Sequence, residues 1–429
     1  MAIDNKDKKV LKSSIEREQN EVACSAECEK IKGSKNLNVP PLRFPEFTEE
    51  WKAEQLDNIA TLSKGIGISK EQLSEDGEPC ILYGELYTKY KSEIIKQVES
   101  KTDINGSKLK RSKANDVIIP CSGETAVDIA TARCVPFDNI LFGGDLNVIS
   151  LHQYDGAFMS YQLNGKRKYD IARVAQGVSI VHLYGEHLKA IKTYNPTLPE
   201  QQKIAKLLSL LDDRIDTQNK IIERYESLIR GINQYAFTNT GINYKLGEIC
   251  EIRSGYSGNQ LTLKNGLKVS RIETISGHKV NMERVGYVAP FESSENYRLQ
   301  IGDILFSNIN SVEYIGNTAF IDKDYNLYHG MNLLRLIPKK ELVMPFYLYL
   351  VLNTNRLLNH FKTVCNKAVS QASINQTELG KTIVRIPNLM NQNRICELFQ
   401  TLYTKLEAER YFISLLQDQK QHLLRQMFI

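Results

Sequence analysis

The feature that most constrains the fold is an internal repeat with a period of about 190 residues. Four short segments recur in the same order, and their offsets differ only by the few residues that loop insertions would add. The matching pairs are 56–65 (LDNIATLSKG) with 246–255 (LGEICEIRSG), 115–119 with 302–306, 196–204 with 387–395, and Phe237 with Phe428. Because four ordered matches at nearly one offset do not arise by chance, the repeat predicts a duplicated domain.

Each half opens with short strand-like runs and closes with one long helix. Runs rich in Val, Ile and Tyr, broken by Gly, Asn and Asp, predict strands at 117–119, 139–151, 303–306 and 332–337. Apolar residues in the closing helices alternate at steps of four and three, the heptad pattern of a coiled coil. The seam positions are Ile204, Leu208, Leu211, Ile215, Gln218, Ile222, Tyr225, Ile229, Ile232 and Ala236, then Ile395, Phe399, Leu402, Leu406, Glu409, Ile413, Leu416, Lys420, Leu423 and Met427.

The polar residues Gln218 and Glu409 occupy equivalent seam positions. A polar seam residue costs stability but can fix register and partner choice. Two equal helices in one chain most simply pack on each other, although each could instead pack only on its own domain. We therefore predict an α+β fold class, with two tandem-duplicated mixed α/β domains separated by two long helices that pack as an antiparallel coiled coil.

Five segments follow from this pattern. The first 39 residues contain no aromatic residue and have no counterpart in the second half, so we expect a mobile tail. The predicted boundaries are 1–39 for the tail, 40–198 for the first domain, 199–239 for the first long helix, 240–389 for the second domain and 390–429 for the second long helix.

Composition excludes several classes of protein. The 429 residues are 42% hydrophobic and 24% charged, as in an ordinary globular protein. The chain has no apolar stretch of the roughly 18–20 residues that a bilayer crossing needs, and its lysine-rich start is unlike a secretory signal. We therefore expect a cytoplasmic protein whose eight cysteines are reduced, buried thiols and not metal ligands. The net charge of +5 is compatible with a polyanionic partner but does not establish one.

The segments that could hold a nucleotide or a methyl donor are incomplete. The turn at 65–67 (GIG) lacks the third glycine of a dinucleotide site, and 380–382 (GKT) lacks the earlier glycine of a phosphate loop. The sequence at 195–198 (NPTL) lacks the second proline and the aromatic residue of an amino-methyltransferase loop. We predict no catalytic residue and no metal site on this chain.

Polar loops at matched places in the two halves suggest recognition instead. The segment 122–125 follows the strand at 116, and 308–313 follows the strand at 303; likewise 83–88 aligns roughly with 270–274. Such side chains can read base edges if their loops enter a groove of DNA. The basic run at 108–113 (KLKRSK) could neutralise phosphates, although a run of this kind is usually just a solvated face.

The pattern resembles one known family, the specificity (S) subunit of type I restriction–modification systems. The resemblance is carried by 42–47 (LRFPEF) ahead of Trp51, 199–204 (PEQQKI) at the start of the first long helix, 302–306 (GDILF) and 423–428 (LLRQMF). It covers residues 40–429. The second copy departs from it, because 391–394 (NQNR) replaces the EQQK of the first copy.

The resemblance implies two target recognition domains, each reading one half of a split sequence in double-stranded DNA, with the long helices setting the unspecified gap. It implies a non-catalytic subunit that docks two modification subunits, which bind S-adenosylmethionine and methylate adenine. Restriction subunits that use ATP and Mg²⁺ can join the complex. This chain is expected to hold no cofactor.

On this basis we predict the residues that contact DNA and partners. The first DNA-facing surface is predicted to contain Lys64, Tyr83, Glu85, Ser122, Glu124 and Thr125, and the second Arg271, Glu273, Thr274, Asn308, Asn310, Ser311 and Gln371. The predicted phosphate contacts are Lys108, Lys110, Arg111 and Lys113, and the predicted contacts with modification subunits are Arg214, Lys220, Arg224 and Lys405. Two alternatives remain open at this point, namely a coiled-coil scaffold that binds only proteins and a self-contained restriction enzyme component.

Overall fold

The computed structural model describes residues 38–177, 179–237, 241–262, 265–367 and 371–429. The predicted N-terminal tail therefore lies almost wholly outside the described residues. The described chain forms two compact units. Unit 1 contains the described residues up to Ile215 together with Leu415–Ile429, and unit 2 contains Asp216–Ser414.

Unit 1 is a mixed domain of short strands and short helices, followed by the first long helix. Its strands are β1 (Lys52–Gln55), β2 (Ala60–Lys64), β3 (Glu78–Ile81), β4 (Lys101–Thr102), β5 (Lys110–Arg111), β6 (Asp116–Pro120), β7 (Ser122–Gly123), β8 (Arg133–Val135), β9 (Leu141–Phe142), β10 (Leu146–Leu151), β11 (Val181–His182) and β12 (Lys192–Asn195). Its short helices are α1 (Leu56–Ile59), α2 (Glu85–Thr88), α3 (Ala126–Ile129), α4 (Gly156–Asn164), α5 (Lys168–Val174) and α6 (Gly185–Lys189). The first long helix, α7 (Leu198–Tyr235), belongs to unit 1 as far as Ile215 and to unit 2 from Asp216.

The central sheet of unit 1 is antiparallel, in the order β2-β10-β6-β8, and both of its faces are covered. Val117 and Ile119 of β6 share an apolar cluster with Met159 of α4, while Ile118 between them packs with Phe142 of a second sheet, β4-β3-β9-β5. Every residue of β6 is therefore buried, which explains the apolar run 117–120 that follows Asp116.

The prediction of one strand over 139–151 was wrong. The segment divides into β9 and β10, which belong to different sheets. The break falls at 143–145 (GGD), where Asp145 adopts a φ of 57°. This left-handed backbone conformation makes a turn, which the residues Gly143, Gly144 and Asp145 signal and which the strand prediction passed over.

Unit 2 repeats this organisation and ends in the second long helix. Its strands are β13 (Ile242–Lys245), β14 (Cys250–Ser254), β15 (Leu267–Val269), β16 (Ile275–Ser276), β17 (Lys279–Val280), β18 (Gly286–Val288), β19 (Ile304–Phe306), β20 (Ile309–Asn310), β21 (Thr318–Phe320), β22 (Leu334–Pro338), β23 (Asn366–Lys367), β24 (Ala372–Ser373) and β25 (Ile383–Ile386). Its short helices are α8 (Leu246–Ile249), α9 (Pro345–Leu352), α10 (Asn355–Val364) and α11 (Gln376–Lys381). The second long helix, α12 (Leu389–Gln426), belongs to unit 2 as far as Ser414 and to unit 1 from Leu415.

The predicted duplication is confirmed by strand order and by one repeated turn. The sheet β14-β22-β19-β21 has the topology of β2-β10-β6-β8, and the pair β13–β25 matches β1–β12. Each central strand begins after a residue with positive φ, Asn115 at 80° and Gly302 at 100°. The following aspartate then accepts a backbone N–H from three residues earlier, Asp116 from Lys113 at 2.8 Å and Asp303 from Gln300 at 2.6 Å.

A glutamine at each long-helix start explains why the changed second copy still begins a helix. Gln201 donates to the Pro196 carbonyl at 2.8 Å and accepts from the Asp155 N–H at 2.9 Å. Gln392 donates to the Pro387 carbonyl at 2.8 Å and accepts from the Met344 N–H at 2.8 Å. Both glutamines are buried and anchor the helix start to the domain before it.

The two long helices pack on each other within each unit, and they run antiparallel as predicted. In unit 1, Ile204 and Leu208 near the start of α7 share a buried cluster with Leu424 and Met427 at the end of α12. In unit 2, the later part of α7 packs against the early part of α12 in a single core. The two polar seam residues meet there, since Gln218 Nε2 donates to the backbone carbonyl (3.3 Å) and the side chain of Glu409.

The remaining polar seam residue, Lys420, holds a buried ionic cluster in unit 1. Its Nζ lies 2.6 Å from Glu93 Oε2 and 2.6 Å from Asp212 Oδ1, and the Tyr161 hydroxyl donates to Asp212 Oδ2 at 2.7 Å. Burial opposes ionisation of Glu93, but the Lys420 ammonium outweighs it and holds the pKa of Glu93 below its ordinary value. Burial likewise works against the charge on Lys420, yet the two carboxylates keep its pKa above the ordinary value.

The cysteines of the described residues fit the expectation of buried thiols. Cys80, Cys121, Cys134, Cys250, Cys365 and Cys396 are buried and unbridged. Burial raises the pKa of Cys80 to about 11 and that of Cys134 to about 12, so neither forms a thiolate near neutral pH. Among the helices of the described residues, none combines the length and apolarity needed to cross a membrane.

Candidate nucleic-acid interface

In unit 1, a short antiparallel strand pair, formed by segments far apart in the chain, brings two of the predicted DNA-facing residues close to aromatic side chains. β7 follows the central strand β6 directly and pairs with β11, so that Ser122 lies opposite His182. The His182 ring stacks on Tyr184, and the Lys64 Nζ lies 5.7 Å from the centre of the Tyr184 ring. Tyr184 is 45% exposed. A cation beside an exposed ring can hold both a phosphate and a base.

Sequence reasoning missed His182 and Tyr184. The signal was present in the segment 181–184 (VHLY), where alternate residues of an extended chain share one face. Val181 and Leu183 are buried and belong to the core, which leaves His182 and Tyr184 on the outer side.

Glu124 and Thr125 follow β7 at the start of α3. Thr125 caps the helix, since its hydroxyl accepts from the Asp128 N–H at 3.1 Å and donates to Asp128 Oδ2 at 2.6 Å. Glu124 is exposed near Tyr87. Burial, followed by the neighbouring Tyr83 and Glu124, raises the pKa of the Tyr87 hydroxyl. The structure therefore places predicted Tyr83 and Glu124 around one phenol that the prediction did not name.

Glu85 has its carboxylate engaged within unit 1. Oε2 accepts from the Leu82 N–H at 3.0 Å, and Oε1 accepts from Lys89 Nζ at 3.3 Å and from the Ser100 hydroxyl. These bonds connect the start of α2 to the segment before β4. A contact between Glu85 and DNA would have to replace them, so its predicted role stays a prediction.

The basic run divides into paired and exposed cations. Arg111 forms a two-pronged ion pair with Glu78, with Nη1–Oε2 and Nη2–Oε1 distances of 2.6 and 3.0 Å. This hydrogen bonding lowers the pKa of Glu78. Lys110 is half-buried in β5, whereas Lys108 and Lys113 are exposed. Lys108 and Lys113 are consequently the better placed of the four to meet a phosphate.

In unit 2, four predicted residues gather at an equivalent strand pair. β20 follows the central strand β19 and pairs with β24, so that Asn310 lies opposite Ala372, next to the exposed Gln371. Asn308 Nδ2 donates to the Ile374 carbonyl at 3.3 Å. Asn310 Nδ2 donates to Ser307 Oγ at 3.0 Å, and its Oδ1 accepts from the Ser311 N–H at 2.8 Å. These bonds fix the two asparagines in one orientation.

Arg271, Glu273 and Thr274 belong to a different part of unit 2, the turn before β16. Arg271 and Glu273 are about half exposed, with Nε and Oε2 3.6 Å apart. Thr274 is buried, and its hydroxyl accepts from the Arg271 N–H and donates to the Arg284 carbonyl, both at 2.8 Å. Its position indicates a role in shaping the turn.

The predicted partner-binding cations are all exposed on the long helices: Arg214 in unit 1, and Lys220, Arg224 and Lys405 in unit 2. Arg224 borders an apolar groove of about 690 Å³ along α7, whose lining includes Leu228, Ile232 and Tyr235. Within the described ranges, no three His, Cys, Asp or Glu side chains are grouped as metal ligands would be.

Each unit thus carries a polar strand pair after the equivalent strand of its central sheet, and each sheet domain is joined to the paired long helices. That arrangement defines a class of protein with two tandem recognition domains. Residues 48–227 and 242–412 match the family model of the type I restriction modification DNA specificity domain. The two matches cover well over half of the chain, so the chain belongs to this family and is a specificity subunit with two DNA-recognition domains.

Curated relatives carry the corresponding name. A putative type I restriction enzyme specificity subunit of Methanocaldococcus jannaschii, MjaX, is 38% identical over 188 residues, covering 43% of this chain and 44% of that protein. The MjaVIII specificity subunit of the same organism is 24% identical over 407 residues, covering 86% of this chain and 89% of that protein. The chain therefore spans less than half of the first relative and most of the second.

Solved structures of the same class share the fold. The type I restriction–modification S subunit from M. genitalium has a TM-score of 0.58 at 17% identity, covering 91% of this chain and 99% of that one. A chain from a structural study of complex assembly and conformational transition of the type I R-M system has a TM-score of 0.57 at 17% identity, covering 90% and 98%. At this identity the likeness concerns the fold alone.

Proposed function

We propose that this chain is the non-catalytic subunit that selects the DNA target of a type I restriction–modification complex, with each unit reading one half of a split sequence. The observation that carries the proposal is the repetition of a polar strand pair, β7–β11 and β20–β24, after the same strand of the same sheet. Two similar readers in one chain suit two short specified sequences separated by an unspecified gap, and we infer that the long helices set the length of that gap.

The side chains on these strand pairs have the chemistry that base reading requires. The exposed amide of Gln371 can form paired hydrogen bonds with an adenine edge. Asn310, whose amide bonds to Ser307 and to the Ser311 N–H, and the buried Ser122, whose hydroxyl donates to Asp145, would exchange these bonds for bonds to bases. Lys64 and the exposed Lys108 and Lys113 can contact phosphates, which fixes position without reading sequence. Each side chain therefore has one proposed role, either specification or anchoring.

We further propose that catalysis and cofactors reside on partner subunits. Two modification subunits would bind S-adenosylmethionine and methylate adenine, and restriction subunits would use ATP and Mg²⁺ to cut. Lys220, Arg224 and Lys405 are the proposed contacts on the long helices in unit 2, and Arg214 is the one in unit 1. The complex would act on DNA in the cytoplasm.

The direct test is to co-express the chain with a modification subunit and map methylated adenines by long-read sequencing. We expect a single split motif with two specified halves and a fixed gap. Asn310→Ala should relax only one half, at a cost of about 1–3 kcal/mol for a lost base contact. Ser122→Ala should affect only the other half. Methylation that is independent of sequence, or both halves changing in either variant, would refute the division of reading between the units.

A protein-only scaffold is the competing function, and the apolar groove of α7 is the feature that favours it. The dependence of DNA affinity on salt separates the two functions. A reader that neutralises several phosphates loses affinity steeply as salt rises and prefers its own sequence, whereas a scaffold does neither. The assay is fluorescence anisotropy on duplexes with and without the mapped motif.

A further inference from the structure

Unit 2 contains a polar cavity that none of the predicted site residues lines. Its volume is about 420 Å³, and it opens beside the central sheet. Arg253 of β14 and Arg335 of β22 contribute to its wall, together with Asn296, Tyr297 and Gln376. The lining contains two guanidinium groups and no carboxylate, although polar donors of hydroxyl and amide type are present as well.

The two arginines are direct neighbours across the sheet, because Arg253 lies opposite Arg335 in the β14–β22 register. Like charges facing each other in this way destabilise a sheet. The equivalent positions in unit 1, opposite each other in β2 and β10, hold Ser63 and Val148. Val148 packs there in an apolar cluster with Ile118 and Phe142. Unit 2 has therefore replaced a neutral, partly apolar pair by two cations on the same frame.

Arg335 is held rigidly and still has an unused donor. It is 5% exposed; its Nη2 lies 2.6 Å from Asp303 Oδ2, and its Nη1 donates to the Asn296 carbonyl at 3.3 Å. The third nitrogen, Nε, is buried without a hydrogen-bond partner. A buried donor without a partner costs about 1–3 kcal/mol, so the residue retains capacity for a further acceptor.

The other charged and titratable groups at the cavity are compatible with an anionic occupant. Arg253 is held by Glu251 at 2.6 Å and 3.1 Å, and about half of its side chain remains exposed. His329 lines the cavity as a neutral ring, since burial lowers its pKa to about 4 and Nε2 bonds to the Leu333 carbonyl at 3.0 Å. Asp303 and Glu251 orient the guanidinium groups without lining the cavity.

From this arrangement we infer that the cavity of unit 2 binds a phosphate-like oxyanion between Arg253 and Arg335. An oxyanion would accept hydrogen bonds from the guanidinium donors that Glu251 and Asp303 leave free. Two sources offer this chemistry, a backbone phosphate of bound DNA and the phosphate of a free nucleotide or inorganic anion. The residues that line this cavity do not belong to the strand pairs β7–β11 and β20–β24 that are proposed to read DNA.

The experiment uses the full chain and pyrophosphate as the free-anion probe, measured by isothermal titration calorimetry. Saturable binding is expected to weaken at least tenfold in Arg253→Gln, while Lys323→Gln, an exposed cation that does not line the cavity, should match the wild type. Arg335→Lys keeps a cation beside Asp303 but removes the fork, so it should lose binding. Because Arg335 is buried, the thermal unfolding temperature of this variant is measured as well, and Arg253→Gln tests the site without changing the ion pair of Arg335 with Asp303.

The second arm measures DNA affinity against salt. If the source is a DNA phosphate, Arg253→Gln should reduce the slope of log K against log salt by about one, while Lys323→Gln leaves it unchanged. The inference is overturned if the arginine variants behave like wild type in both arms. Pyrophosphate binding that depends on Arg253 in a chain that ignores DNA would retain the inference and reject the proposed function.

Discussion

Replacing Lys420 with methionine tests whether the buried ionic cluster supports unit 1. The change removes the cation shared by Glu93 and Asp212, whose side chains are only 8% and 5% exposed. Breaking a buried ion pair costs about 3–5 kcal/mol, because it leaves a charge without compensation. Tyr161 still donates to Asp212 at 2.7 Å, and Arg133 still attracts Glu93. We therefore expect the lower end, a loss of about 3 kcal/mol at pH 7.

The assay is urea unfolding followed by the fluorescence of Trp51, the chain's only tryptophan. Trp51 is buried in unit 1 in the same cluster as Leu424 and Met427 of α12, so its emission reports on this packing. The matched control is Lys206→Met on an exposed position of α7, which should change the free energy of unfolding by less than about 0.5 kcal/mol.

The dependence on pH gives the sharper test. In the wild type, the pKa of Glu93 is depressed, so its contribution is present above the unfolded pKa and is lost as pH falls through the folded value. Burial raises the pKa of Asp212 already in the wild type, where Lys420 opposes the shift. In the variant, the pKa of Asp212 should rise further and that of Glu93 should rise above its ordinary value, so stability is lost as pH rises through both. The difference should therefore grow from pH 5 to pH 7. A loss below about 1 kcal/mol, or an equal loss at both pH values, would refute the reasoning.

Three further results are expected from features described above. Replacing both Gln218 and Glu409 with leucine should raise the stability of unit 2 by about 1–2 kcal/mol, seen as a higher transition temperature in scanning calorimetry; a lower temperature would contradict this. Thr125→Ala removes the cap of α3 and should cost about 1 kcal/mol in urea unfolding, whereas Thr125→Ser should cost little. Cys80 and Cys134 should resist iodoacetamide in the native chain at pH 8, as judged by peptide mass spectrometry, and labelling without unfolding would show that they are not buried.

Regular patterns in the sequence predicted the frame of the molecule well. The heptad seam and the repeat are periodic, so the antiparallel helices and the contact between Gln218 and Glu409 could be anticipated. The break at Asp145 was missed because the Val, Ile and Leu residues around it were given more weight than the turn signal of Gly143, Gly144 and Asp145. The seam itself gave no sign that Lys420 would pair with Glu93, which is more than 300 residues away in sequence.

The candidate site shows the same division. Matched loop positions predicted Ser122, Asn308 and Asn310 as site residues, and these residues do lie at equivalent strand pairs. The polar character of a loop residue does not say whether its side chain faces solvent. Thr274 is an example, because its side chain is buried. Arg111 looked like one of four free cations, but a glutamate 33 residues away occupies its guanidinium group.

The central strands β6 and β19 are buried along their length. The two-residue strand pairs β7–β11 and β20–β24 follow the ends of these central strands. Substitutions in the central strands disturb a close-packed core, whereas substitutions on the outer side of the strand pairs replace a few surface hydrogen bonds. Under the proposed function, substitutions at one strand pair would change the half of the target that this unit reads and would leave both cores intact.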